Sequence, residues 1–297
     1  MNNEPGKLYV VATPIGNLAD FSFRAIETLK QVDFIAAEDT RHIKMLLQHY
    51  GIHNRVVSLH QHNEEHAAVG IIEKLREGQS IALVSDAGTP LLSDPGMPLV
   101  KQAKEAGLTV VPIPGACALI AALSAAGLPV SPFYFAGFSP RTSSARKAFF
   151  TQQALNPTTW LFYESSHRIL ASLQDMAEVL PLNREIVIAR EITKLHETIV
   201  KMTLGQLLER VSQDENMRKG EFVVIVSGAI IDKSESVLTS EQASILLTLL
   251  KECSIKTAVA IATEITGARK KLLYQAALGL VEQHGLNNKS KASDSHD

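Results

Sequence analysis

The chain has 297 residues, 45% hydrophobic content, a formal net charge of -2 and two cysteines, enough for about two domains with a sizeable core. No run of roughly 18 uncharged apolar residues occurs, and the start, MNNEPGKLYVVATP, lacks a basic region followed by a long apolar stretch, so neither a membrane span nor a secretory signal is expected. Cys117 and Cys253 match no metal-ligand spacing and are too few for a disulfide framework, which fits a reducing cytoplasm.

Short apolar runs alternate with helical patterns through the first half. LYVVA (8–12), VDFIAA (32–37), RVVSL (55–59), SIALVS (80–85) and LTVVPI (108–113) read as strands, with amphipathic segments such as FRAIETLKQ and HAAVGIIEKLREG between them. Nearly continuous apolar strands separated by helices predict βαβ units and a parallel sheet, here over residues 1–128. Right-handed crossovers then bring every loop that follows a strand to one edge, where α/β proteins bind ligands.

Four such loops carry chemistry. SDAGTPLLSDPG (85–96) packs two glycines, two prolines and two aspartates into twelve residues after a strand. Gly88 and Gly96 permit positive φ and close backbone approach, and Pro90 and Pro95 stiffen the turns. TPIGNLADFS (13–22) keeps one glycine, Gly16, and lacks the three glycines of a dinucleotide fingerprint. EDTR (38–41) sets Glu38, Asp39 and Arg41 after a buried strand, where charge is costly unless paired or used. PGACAL (114–119) follows the fifth run.

Two prolines around Pro129 and Pro132 interrupt this pattern and mark a boundary. Beyond it TTWLFYE (158–164), REIVIAR (184–190), HETIVKM (196–202) and EFVVIVS (221–227) read as strands, the middle two close enough for a hairpin. A second α/β domain with a mixed sheet is expected over 129–231. YESSHRI (163–169) and REITKLHE (190–197) follow strands and concentrate ionisable groups; a polar surface hairpin is the plain reading, and a site is favoured because the buried strand REIVIAR leads into the second segment. His60, His62 and His66 are badly spaced for a tetrahedral metal, and no metal is expected.

After the polar stretch DKSESVLTS, residues 240–285 read as helical, with a turn at Thr266-Gly267 and a second helix opening on Arg269, Lys270 and Lys271. Between Lys256 and Lys291 six Lys/Arg stand against Glu264 and Glu282, compatible with a phosphate backbone. A helix-turn-helix that meets nucleic acid and a small dimerisation cap are both open readings. Residues 286–297 read as a disordered tail.

ATPIGNLADFSFRA, AAEDTRH, VSDAGTPLLSDPG, PIPGACAL, FAGFSPR, FYESSHRI, AREITKLHE and GEFVVIV occur in this order over roughly residues 7–285. Together they resemble the tetrapyrrole (corrin/porphyrin) methylase superfamily, on its branch that methylates ribosomal RNA. The resemblance implies two α/β domains enclosing S-adenosylmethionine, a C-terminal helical extension and a cytoplasmic homodimer. It also implies methyl transfer to the ribose 2′-hydroxyl of cytidine 1402 in 16S ribosomal RNA of the small subunit.

Carried over by motif, Asp86, Gly88, Thr89, Pro90 and Leu92 are candidate cofactor contacts, with Pro114, Gly115 and Ser124 beside them and Glu164 opposite. The first loop departs from the superfamily's glycine-rich form at Ala12, Thr13 and Pro14, which disfavours corrinoid substrates and agrees with the RNA branch. The base for the hydroxyl proton is either Lys194, if its surroundings neutralise it, or a carboxylate, Glu191 or Asp20. Arg41, His167, Arg168 and Arg190 are candidate phosphate clamps, joined by Arg269, Lys270 and Lys271 in the extension. A tetrapyrrole carbon methylase and a non-enzymatic, cofactor-sensing RNA-binding protein are the competing readings.

Overall fold

The computed structural model describes residues 4–230 and 238–284; the stretch 231–237 and the predicted tail 286–297 lie outside the described residues. The chain divides into two compact units, Met1–Ile230 and Ile231–Asp297.

In the first unit β1 (Lys7–Val11), β2 (Phe34–Ala37), β3 (Val56–Ser58), β4 (Ile81–Val84) and β5 (Thr109–Ile113) form a parallel sheet of order β3-β2-β4-β1-β5. Helices α1 (Phe23–Gln31), α2 (Thr40–His49), α3 (Glu64–Arg76) and α4 (Met97–Glu105) connect the strands. Side chains alternate across each strand. Leu8, Phe34, Ala36, Ile81 and Leu83 therefore pack on one face with Leu75 and Leu99, and Val11, Ile35, Ala37, Ala82 and Val84 on the other with Leu29 and Leu47. Cover on both faces is why the strand runs are apolar throughout rather than alternating.

The second sheet contains β6 (Phe133–Phe138), β7 (Thr159–Ser165), β8 (Glu185–Arg190), β9 (Thr198–Thr203) and β10 (Glu221–Val226), in the order β6-β7-β10-β8-β9. It is mixed as expected: β6 runs parallel to β7 and the other pairings are antiparallel, with β8 and β9 as the hairpin. Strand β6 has no counterpart among the predicted runs. It is an edge strand with Phe133, Tyr134 and Phe138 exposed and a break in register between Phe135 and Phe138, so neither a continuous apolar run nor a clean alternation marks it.

Helix α5 (Ala118–Ala125) follows β5 and packs Leu119, Ala122 and Leu123 on Leu161, Val187 and Val223 of the second sheet. The opposite face carries Trp160, Phe162, Ile188 and Val224, covered by α6 (Ser143–Gln153), α7 (Ile169–Ala177) and α8 (Leu204–Gln213). An ion pair of 2.6 Å between Arg146 on α6 and Asp175 on α7 is buried under this layer.

The second unit contains α9 (Ser240–Glu252), α10 (Ile255–Thr266) and α11 (Lys270–His284) around Leu246, Ala258, Ala262, Leu273 and Ala277. Ser254 caps α10 by accepting from the Thr257 amide, and Gly267 ends it with φ of 65°. Arg269, Lys270 and Lys271 are all exposed where α11 begins. Among the described residues no helix is long and apolar enough to cross a membrane.

Candidate active site

A cleft of about 380 Å³ opens at the carboxyl edge of the parallel sheet, between the loops after β1, β2, β4 and β5 and the ends of β7, β8 and β10. Hydrogen bonds stitch the first set of loops together. Thr13 and Gly88 exchange backbone bonds of 2.9 and 3.0 Å. The Asp86 carboxylate accepts from the Asp39 amide at 3.0 Å, and the Thr89 hydroxyl donates to the Ala116 carbonyl at 3.0 Å. Gly88 sits at φ +83°, where a Cβ would lie 3.1 Å from Ile15 Cγ2. A side chain there is thus both strained and crowded.

Of the candidate cofactor contacts, Asp86, Gly88, Thr89, Leu92 and Glu164 line the cleft. Pro90 is buried beneath the loop, and Pro114 and Gly115 lie outside the lining. Gly115 has a packing reason to be glycine, since a Cβ would come within 2.9 Å of that of Ala12. Ser124 is exposed on α5 and its hydroxyl donates to the Ala121 carbonyl. The Glu164 carboxylate is fully engaged: it accepts from the Ser139 and Ser172 hydroxyls, from the Ser165 amide at 2.8 Å and from Arg168 at 2.9 Å. Those donors make it a buried anchor of the cleft wall.

One end of the cleft is acidic. Glu38, Asp86 and Asp94 line it together. Burial first, then the Glu38 charge, pushes Asp94 up to about 6 against a hydrogen bond from Ser85. Burial also raises Glu38, assisted by Asp86 and opposed by His60. Carboxylates crowded this way favour a cation. Among the described residues no group of three or more His, Cys, Asp or Glu is placed to hold a metal ion.

Opposite stands the Lys194 ammonium, 2.9 Å from Glu191 and 2.8 Å from Glu221. Burial, the largest single influence on Lys194, favours the neutral amine, but the hydrogen bonds and charges of Glu221 and Glu191 outweigh it and lift its pKa. The surroundings therefore hold Lys194 charged, not neutral. Burial likewise favours the neutral form of Glu191, but bonds from Lys194 and the Glu221 amide lower its pKa. Two glycines seat this group. A Cβ on Gly16 would overlap Lys194 Cγ, and one on Gly220 would lie 2.5 Å from Glu191 Cγ. Leu91 and Ser93 in the loop 85–96 and Glu191 and Thr193 after β8 hold positive φ without being glycine, local strain that such sites tend to keep.

The remaining candidates separate. Asp20 is exposed at the end of a short 3-10 helix, Leu18–Asp20, away from the cleft lining. Arg41 is exposed and pairs with Asp39 at 3.2 Å, and His167 is exposed after β7. Arg168 and Arg190 are committed within the unit: Arg168 to Glu164 and the Ser139 carbonyl, Arg190 to the carbonyls of Lys219 and His196. Glu221 and Phe138 were not singled out from the sequence, yet both line the cleft. Glu221 opens its strand; only the antiparallel setting of β10 brings a strand start to the edge where β7 and β8 end.

Residues 7–208 match the family model described as Tetrapyrrole (Corrin/Porphyrin) Methylases, and residues 237–280 match one described as RsmI C-terminal HTH domain. A relative in Escherichia coli O157:H7, named Ribosomal RNA small subunit methyltransferase I, is 51% identical over 96% of this chain and 98% of its own length. A relative of the same name in Pseudomonas aeruginosa is 49% identical over 92% of this chain and 97% of its own. Among solved structures, uroporphyrin-III-C-methyltransferase from Thermus thermophilus superposes with a TM-score of 0.53 at 17% identity, covering 75% of this chain and 94% of that one. That likeness concerns the fold alone. With a match over most of the first unit and relatives of half identity along nearly the whole length, the chain belongs to the tetrapyrrole (corrin/porphyrin) methylase family.

Proposed function

We propose that this protein transfers a methyl group from S-adenosylmethionine to the ribose 2′-hydroxyl of cytidine 1402 in 16S ribosomal RNA, as a homodimer in the cytoplasm. The observation that carries the reading is the near-complete span of relatives named Ribosomal RNA small subunit methyltransferase I, which covers the cleft and the C-terminal helices alike. The choice of hydroxyl and nucleotide rests on the motif resemblance over residues 7–285.

The residues present fit the cofactor. Its sulfonium and ammonium are cations, and Glu38, Asp86 and Asp94 offer carboxylates at one end of the cleft. Gly88, at positive φ and packed against Ile15, keeps the loop conformation that lays its backbone along the cleft. When bound, S-adenosylmethionine supplies an activated methyl whose leaving group is a neutral thioether, so no metal or covalent intermediate is required. The chain's own task is to set the hydroxyl oxygen in line, where positioning contributes roughly 7–11 kcal/mol. As a charged donor, Lys194 orients that oxygen or a neighbouring phosphate. Glu221, exposed over 82% of its side chain, is the more available acceptor for the hydroxyl proton, because Glu191 is already held by two donors. Arg41, exposed although paired with Asp39, and the exposed His167, Arg269, Lys270 and Lys271 are the groups offered to phosphates.

The reading is tested by incubating the protein with cofactor labelled on its methyl group and, separately, unmethylated small ribosomal subunits, naked 16S RNA and uroporphyrinogen. Label on the ribose of cytidine 1402 is expected. Label on uroporphyrinogen alone would sink it.

A further inference from the structure

Phe138 lines the cleft and yet is 55% exposed, the most open of the large apolar side chains there. Its setting is built. The register between β6 and β7 breaks between Phe135 and Phe138, and Gly137 within that break holds φ of 74°. Irregularities of this kind turn a side chain out of the alternation of its strand, and they concentrate beside active sites. The ring rests edge-on against Tyr163 at 5.4 Å, and Tyr163 is backed in turn by Phe135 at 4.9 Å. The next residue is pinned three ways: the Ser139 amide donates to the Tyr163 carbonyl at 3.2 Å, its hydroxyl to Glu164, and its carbonyl accepts from Arg168 at 3.1 Å. An aromatic ring fixed from behind and bare in front is a stacking surface.

We propose that Phe138 stacks on the base of the target nucleotide and so holds the ribose in the cleft beside Lys194 and Glu221. This inference rests on the proposed RNA substrate. A ring belonging to the cofactor site would be expected to be covered by its own loops; one left open at the mouth suits a flat group that arrives with the second substrate. Single-stranded nucleotides are gripped through base stacking on aromatic side chains, and every base has a π-face. Phe138 should therefore strengthen RNA binding without choosing the base.

The test compares Phe138→Ala, Phe138→Leu and Phe138→Trp with the unaltered protein, using unmethylated small ribosomal subunits and labelled cofactor, with cofactor affinity measured separately by calorimetry. In Phe138→Ala the KM for subunits should rise about tenfold to a hundredfold, with the cofactor dissociation constant and the thermal midpoint unchanged. Phe138→Trp should restore the KM and Phe138→Leu should not. Equal rescue by leucine would mean apolar packing rather than stacking, and a weaker cofactor affinity would assign the ring to the cofactor; either overturns the inference. So does a KM for Phe138→Ala equal to that of the unaltered protein, provided the latter methylates subunits. If it labels no RNA at all, the RNA reading itself fails and takes this inference with it.

Discussion

Lys194 illustrates how strongly two neighbours can decide the state of one group. Partial burial alone would drive its amine toward neutrality, yet two carboxylates within 2.9 Å keep the proton on. Its role is then to donate, not to accept. Lys194→Ala should lower the single-turnover methylation rate about a hundredfold, the low end of what removing one positioned donor costs, and leave the cofactor dissociation constant unchanged. Glu221→Gln should lower the same rate, whereas Asp20→Asn should not; an effect of Asp20 equal to that of Glu221 would move the proton acceptor to the first loop.

Asp94 allows a pH test at the same scale. Its pKa is raised to about 6, so the folded state holds the proton more tightly than the unfolded chain does. The associated stability is complete below the ordinary value of 3.8 and is lost as pH rises to about 6. Binding of a cation has the opposite sign, because it requires the ionised carboxylate. Cofactor affinity measured by calorimetry should therefore fall as pH drops through about 6, and Asp94→Asn should flatten that dependence while weakening binding at neutral pH. A pH profile unchanged by the substitution would remove Asp94 from cation recognition.

Among the elements, α6 and α7 are joined by a pair that a hydrophobic count would overlook. Arg146 donates through Nε and Nη2 to Asp175 at 2.7 and 2.6 Å and through Nη1 to the Arg141 carbonyl at 2.9 Å. Ser143 and Lys147 also reach the same carboxylate. Removing one partner of a buried pair strands the other, which typically costs about 3–5 kcal/mol. Asp175→Ala should lower unfolding stability in denaturant by about that amount. A loss under about 1 kcal/mol, the usual size for an exposed pair, would mean that water replaces the carboxylate.

Over the whole molecule, the acidic cleft end and the basic start of α11 serve different charges. If Arg269, Lys270 and Lys271 meet phosphates, the triple alanine variant should bind small ribosomal subunits more weakly and with a shallower dependence on salt, since each phosphate contact releases roughly one counterion. Cofactor affinity should be unchanged. Normal subunit binding with an unaltered salt slope, together with a shift to monomer, would make the segment a dimerisation cap instead.

The positions of nine strands and the turn at Gly267 follow from local pattern, because burial on both faces leaves an uninterrupted apolar run and because glycine ends a helix by its own backbone chemistry. The break at Cys253-Ser254, which parts α9 from α10, falls inside a stretch that reads as one continuous helix. The loop 85–96 was equally legible, since its turn residues dictate their own geometry. Partners were not. That Glu164 is an anchored wall residue, that Arg168 and Arg190 are spent on carbonyls and carboxylate, and that Glu221 completes the Lys194 group all depend on strand order. Strand β6 and its ring Phe138 were hidden for a related reason: an edge strand with a break in register leaves no periodic signal. Periodicity records which face of a segment is buried; strand order and direction, which set each charged side chain beside its partner, arise from contacts between segments far apart in the chain.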